Sequence, residues 1–150
     1  IGMGEDERRA LTRAALLHDI GKLGVSNLIL DTAGKLTDEE WAKMRAHTDF
    51  TYGIRSRVTG FSALAEMASA HHERLGGAGY HRGVPGSELT LAARMLAVAD
   101  QYEAMTAERP YRQPMPQDKV LGILSDEVGR GIDADAYDAL SAYVESNAAK

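Results

Sequence analysis

The sequence predicts an all-α fold, a bundle of about six or more helices. Three observations carry this. Apolar residues recur at i, i+3, i+4 and i+7 in one window after another. No stretch alternates convincingly as a strand. The gaps between the apolar stripes hold glycine and proline, which punctuate helices. A length of 150 residues suits one compact domain, taken as residues 1–150. The chain is 44% hydrophobic but only 6% aromatic, so its core should be aliphatic: Leu, Ala, Val and Met.

The elements follow in order. Residues 6–18 place Leu11, Ala14, Ala15 and His18 on one face, and Leu16 and Leu17 also read as core. Gly21 reads as a left-handed cap that stops this helix. In "GKLTDEEW", Thr37 can cap a helix and Glu40 lies three positions on, as in a capping box. From Trp41 a helix carries Met44, His47, Thr51, Ile54 and Val58 on one stripe. Ser62 can cap a third helix with Leu64, Ala65, Ala68 and His72 facing inward. Residues 75–87 contain "GGAGYHRGVPG", which is a loop. A fourth helix over roughly 90–106 aligns Leu89, Ala93, Leu96 and Asp100. "ERPYRQPMP" breaks the chain, and two more helices close it near 117–127 and 134–146.

Composition excludes several functions. A formal charge of -5 argues against a general binder of nucleic-acid polymers, which carries a basic face. A small anionic ligand is still compatible, because a metal or a few arginines reverse the local field. With no cysteine there is no disulfide and no thiolate metal site. No apolar run reaches the roughly 18 residues that span a bilayer, and no signal peptide is visible. The chain opens on Ile1 and reads as a fragment of a larger protein.

"LLHDIGK", residues 16–22, sets His18 and Asp19 at the end of an apolar helical run. Burying a carboxylate without a partner is costly. The other apolar stripes carry intruders too: His47, His71 with His72, and Asp100. Taken singly, each has an ordinary explanation as a hydrogen-bonded core residue or a helix cap. Together they are six imidazole and carboxylate groups, and one metal cluster satisfies all of them at once. Such donors suit Fe, Mn, Zn or similar divalent ions. Six ligands are more natural for two or more ions, with Asp19 placed to bridge. Two-metal sites serve hydrolysis of phosphate esters.

These residues carry a resemblance. "HD" with "IGKLGV", then "GKLTDEEW", "MRAH", "HHER", "GAGYHRG" and "LAVADQYEAMTAERPYR" are similar, in order and over about residues 5–145, to the HD-GYP family. That family is a bacterial branch of the HD metal-dependent phosphohydrolases. The resemblance implies an HD-domain helical bundle and a cyclic di-GMP phosphodiesterase. Its product would be the linear dinucleotide or GMP, made through a metal-activated hydroxide. It implies two or three ions, iron or manganese, on His18, Asp19, His47, His71, His72 and Asp100. Asp19 and Lys22 would be catalytic. Lys22, Tyr80, Arg109 and Arg112 would contact substrate. It also implies a cytoplasmic place in bacterial signalling, an upstream sensory or receiver domain, and contact of the loop with GGDEF-type cyclase domains.

The chain departs from the family loop HHExxDGxGYP at two positions: Gly76 replaces the aspartate and His81 the proline. The loop should be less rigid without proline, and the cyclase contact is altered. Glu73 reads as a residue behind the ligands or at the surface, and His81 as an exposed loop residue. HD domains usually begin with an earlier helix that adds a metal ligand; none precedes His18 here, so a fragment lacking it should dimerise or exchange a helix through its uncovered apolar face. Two other readings stay open: hydrolysis of another nucleotide, and a degenerate domain that binds without turnover.

Overall fold

The computed structural model describes residues 2–108 and 113–148. The described residues form helices α1 (Glu5–Leu17), α2 (Asn27–Leu30), α3 (Asp38–Arg45), α4 (His47–Ser56), α5 (Ser62–Ser69), α6 (Leu91–Thr106), α7 (Gln117–Asp126) and α8 (Ala134–Ala148). They contain no β-strand; Val128 and Ile132 make an isolated bridge. The expected all-α class holds.

Helix α6 is the spine. On one side Val98 packs with Val120, Leu124, Ile132 and Ala136 of the C-terminal segment. On the other, Leu96 meets Ala14 of α1 and Ala68 of α5. Alanine at these last two contacts lets the helix backbones approach closely. The ends of α1 and α5, which carry the histidines, are thereby drawn together. The core is aliphatic as composition implies: its largest fully buried apolar side chains are Leu124, Ile132 and Val120.

Local signals locate several helix ends. Thr37 Oγ1 accepts from Glu40 N, and the Glu40 carboxylate accepts from Thr37 N at 2.8 Å, closing the capping box. Thr90 caps α6 by accepting from Ala93 N at 3.2 Å. The third helix instead starts at Ser62 itself, with Phe61 at the cap and no side-chain bond.

Other expectations are corrected. Leu16 is 78% exposed, because it points away from the α5–α6 contact that buries Ala14. The stripe from Met44 to Val58 is divided between two helices, broken at Ala46, and runs past the end of α4 at Ser56; His47 and Thr51 are buried, but Ile54 and Val58 are exposed. Gly21 is not a left-handed cap. It lies in a 3₁₀ turn, Ile20–Gly24, pressed against α4. A Cβ there would stand 1.9 Å from the His47 carbonyl oxygen. Glycine is required for close approach, not for its backbone angle.

Candidate metal centre

Three of the histidines share one local construction. His18 follows the last residue of α1, His47 follows α3 across the Ala46 break, and His71 comes two residues after α5. Carbonyls in the last turn of a helix lack intrahelical partners. Each ring supplies one: Nδ1 of His18 donates to Ala15 O at 2.7 Å, His47 to Met44 O at 2.7 Å, and His71 to Ala68 O at 2.6 Å. The residue three positions back is used every time. Committing Nδ1–H to a carbonyl fixes the tautomer and leaves Nε2 to face inward as a base.

The inward atoms converge. Nε2 of His47 lies 3.2 Å from Nε2 of His71. Asp19 Oδ1 is 3.5 Å from His47 Nε2 and 3.7 Å from His71 Nε2. Its other oxygen, Oδ2, is 2.6 Å from Lys22 Nζ and 3.4 Å from His18 Nε2. Asp100 closes the far side, with Oδ1 3.5 Å from His18 Nε2 and Oδ2 3.6 Å from His72 Nδ1. All six sequence-predicted residues meet at one place.

Two overlapping triads have donor atoms within 4.8 Å of one another: His47, His71 and His72; and His18, Asp19 and His71. Asp19 Oδ1 is buried with no hydrogen-bond partner. A buried lone-pair oxygen beside two imidazole lone pairs is unfavourable by itself. A divalent cation removes the conflict, so these residues fit a metal.

The charge states agree. Burial first, then the neighbouring His72, pulls the His71 ring down to about 3. Burial and His47 do the same to His72, also to about 3. His47 is lowered too, chiefly by burial. These rings are neutral bases at neutral pH. For His18 burial acts downward, but the carboxylates of Asp100 and Asp19 prevail and push it up to about 10. Without an ion, His18 thus supplies the positive charge that the carboxylates demand. Burial opposes ionisation of Asp19, yet His18 and Lys22 hold its carboxyl well below the usual range.

Residues 1–136 match the HD-domain family. The chain belongs to that family. Its relatives include the 3′3′-cGAMP-specific phosphodiesterase 3 of Vibrio cholerae serotype O1, 49% identical over 140 residues, 93% of this chain and 30% of that protein. The cyclic di-GMP phosphodiesterase response regulator RpfG of Xanthomonas campestris pv. campestris is 38% identical over 144 residues, covering 93% and 38%. A crystal structure of a cyclic GMP-AMP-specific phosphodiesterase of V. cholerae superposes with a TM-score of 0.53 at 43% identity, over 95% of this chain and 32% of that one. The HD domain spans about a third of the length of the curated relatives it matches. The resemblance read from the sequence, to HD-GYP proteins, is the one these relatives display.

The glycine-rich loop of this HD domain folds back onto the histidine pair. Tyr80 N donates to His72 O at 3.2 Å, and the Tyr80 ring stacks on His72 with centres 4.5 Å apart. Burial and the Asp100 charge push the Tyr80 phenol up, so it keeps its proton. Gly79 allows the approach: a Cβ would lie 2.4 Å from Glu73 Cα. Of the two readings of Glu73, the place behind the histidines holds and the surface one does not. The residue is 2% exposed, and Oε1 accepts from the amides of Arg82 and Gly83 at 2.8 and 3.0 Å.

His81 is not an exposed loop residue. Its side chain is largely buried, and Nδ1 lies 2.9 Å from Asp49 Oδ1 on α4. It holds φ at +119°, rare for a non-glycine residue. The loop lacks proline's ring but is tied to α4 by a side chain instead. At Gly76, a Cβ would stand 3.2 Å from the Arg130 carbonyl oxygen, so the family's aspartate there requires that neighbour to shift by a few tenths of an ångström.

Lys22 reaches the cluster as expected, through Asp19. Arg109 and Arg112 lie outside the described residues. Sequence reasoning missed Thr51, which is buried on α4. Its Oγ1 accepts from Gly21 N at 3.0 Å and donates to His18 O at 2.9 Å, holding the His18–Asp19 turn against α4. The adjacency of Thr51 to His47 on the same stripe was the available signal.

Proposed function

We propose that this HD domain is the catalytic unit of a metal-dependent phosphodiesterase acting on a cyclic dinucleotide, with cyclic di-GMP as substrate and the linear dinucleotide or GMP as product. The observation that carries this is the unpartnered Asp19 Oδ1 facing the Nε2 atoms of His47 and His71. The names of the relatives supply the substrate class: one acts on 3′3′-cGAMP and another on cyclic di-GMP. Both molecules contain guanine and two phosphodiester links.

His18, Asp19, His47, His71, His72 and Asp100 would hold two or three divalent ions, iron or manganese. Bound ions supply Lewis-acid polarisation of the phosphate and a nucleophile at neutral pH. The two oxygens of Asp19 look toward different partner sets, which favours bridging. The remaining work falls to the chain. Lys22, partly exposed beside Asp19, offers its ammonium to a phosphate oxygen. Tyr80, held protonated, donates a hydrogen bond. Arg109 and Arg112 are assigned to phosphate on their residue type alone.

The test is hydrolysis by protein loaded anaerobically with iron, or with manganese, of cyclic di-GMP, 3′3′-cGAMP, cyclic di-AMP and deoxynucleoside triphosphates. The expected result is turnover of the guanine-containing cyclic dinucleotides. Turnover of the triphosphates alone, or of nothing at full metal load, overturns the proposal.

A further inference from the structure

Helix α3 carries two residues to the mouth of the site that have no role so far. Trp41 is the sole tryptophan of the chain and is 44% exposed. It lines the same cleft, about 540 Å³, as Asp19, Lys22, His72 and Asp100. One helical turn on, Arg45 sets its guanidinium carbon 5.7 Å from the Trp41 ring centre and 5.4 Å from that of Tyr80. Tyr80 itself lies on His72. The four side chains form a continuous run of ring faces and one cation, from the His–Asp cluster to the rim of the cleft. Arg45 makes no ion pair among the described residues, whereas Lys22 is engaged with Asp19.

More than half of the indole is covered, its exposed part lines the cleft, and α3 has no fully buried residue. Concave sites for flat ligands use such a ring: an aromatic face stacks any nucleobase. A guanidinium beside it offers forked donors that match base edges and phosphate oxygens. The rest of the cleft wall is rich in carboxylate, with Asp19, Asp100 and Glu103. Lys22 is the cation of that lining and faces three carboxylates, so an anionic nucleotide there gains from a second cation, and Arg45 is the neighbouring one.

We propose that Trp41 stacks a nucleobase of the substrate and that Arg45, held over Trp41 and Tyr80, donates hydrogen bonds to the same nucleotide. This rests on the cyclic-dinucleotide reading, and adds to it a subsite on α3.

A single tryptophan makes the test direct. The full chain, loaded with manganese, is titrated with a non-hydrolysable phosphorothioate analogue of cyclic di-GMP. Heat and tryptophan emission are recorded together. Saturable change in emission is expected at the stoichiometry that calorimetry gives. Trp41→Leu should weaken binding about five- to a hundredfold, the range for losing one stacked base, while Trp41→Phe stays within a few-fold. Arg45→Ala should also weaken binding at least fivefold, and Arg45→Lys should recover only part, since it keeps charge but loses the planar fork. Metal content should not move in any of the four, and the melting temperature of the two Arg45 variants should stay near wild type. Calorimetric binding with flat emission, or with unchanged affinity in Trp41→Leu and Arg45→Ala, overturns the α3 subsite and leaves the phosphodiesterase reading standing. Absence of binding by wild-type protein that also fails to hydrolyse cyclic dinucleotides overturns both.

Discussion

His47 Nε2 faces His71 Nε2 across 3.2 Å, and neither ring has a proton to put between them. The Nδ1–H of each is spent on a backbone carbonyl, Met44 O and Ala68 O. Protonating either ring is opposed by burial. Two lone pairs held in contact destabilise the fold until a cation sits between them and their neighbours. Metal should therefore stabilise this protein. At a free concentration a hundred times the Kd, one ion adds about 2.7 kcal/mol. For a domain of this size that is on the order of 5–10 °C in Tm. Calorimetry of chelated and manganese-loaded protein checks it. His71→Gln should lose most of the rise.

Asp19 should be the residue whose loss removes metal and turnover together. Its two oxygens serve different sides of the cluster, Oδ1 toward His47 and His71, Oδ2 toward His18 and Lys22. Asp19→Asn keeps the shape but removes the charge and turns one oxygen into a donor. Bound metal should fall by at least one ion per chain, with turnover down by a hundredfold or more. Elemental analysis and anaerobic assays read both. Full metal content in this variant would show that Asp19 does not bridge.

Thr51 should matter more than an isolated hydroxyl. Its Oγ1 is shared between Gly21 N and His18 O, both in the turn that carries Asp19. Thr51→Val preserves volume and strands a buried donor and a buried acceptor, at about 1–3 kcal/mol for each unsatisfied group. Gly21→Ala should be worse, because the new Cβ meets backbone and not a movable side chain. Denaturant melts should rank wild type, Thr51→Val and Gly21→Ala in falling order of stability. Equal stability of the first two would show that the hydroxyl is not holding the turn.

The contrast between these residues shows what a sequence can disclose. The Thr37–Glu40 box, α6, and the two closing helices were readable because their signals are local: a cap, a period, a proline. The six residues that converge were readable because each interrupts an apolar stripe with a group that needs a partner. Gly21 was misread because its neighbour, the His47 carbonyl, is distant in sequence. The break at Ala46 was invisible because the apolar spacing runs on across it, although one helix ends at Arg45 and the next starts at His47. Leu16 looked buried from its neighbours in sequence, but burial depends on which face of α1 meets α5. Glu73 and His81 took their roles from Gly83 and Asp49, contacts that only the folded loop creates.

The pH behaviour of metal-free protein should be set by His18. Its folded pKa is raised from 6.5 to about 10 by Asp100 and Asp19, against the downward pull of burial. A raised pKa means the folded state holds the proton more tightly than the unfolded chain. That stabilisation is complete below about pH 6.5 and is lost as pH climbs through about 10. Chelated wild-type protein should thus lose stability across this window relative to chelated His18→Gln. Metal-loaded wild type should lack that extra loss, since the ion displaces the proton. Thermal melts of the two proteins from pH 6 to pH 10 decide it. Parallel profiles for chelated wild type and His18→Gln would remove His18 as the origin.

Glu73 should set the position of Tyr80 without touching the donor atoms of the His–Asp cluster. Its carboxylate is buried, and Oε1 gathers the amides of Arg82 and Gly83, just past Tyr80 and His81. On the other flank, Tyr80 N is bonded to the His72 carbonyl. The ring is therefore held from both sides, and that hold keeps it stacked on His72. Bonds to a charged acceptor are worth about 1.5–3 kcal/mol each. Glu73→Ala forfeits two of them and leaves two amides under the loop unsatisfied. The loop should become cleavable by protease near residues 78–84, and KM for a cyclic dinucleotide should rise about tenfold. Metal content should stay near wild type. Glu73→Gln retains a carbonyl acceptor for both amides, so it should recover most of the protection and most of KM. A structural filler alone would not distinguish glutamine from a nearly isosteric methionine; an acceptor would, with Glu73→Met behaving like alanine. Equal protease resistance in Glu73→Met and Glu73→Gln would show that packing, and not the two amide bonds, holds the loop.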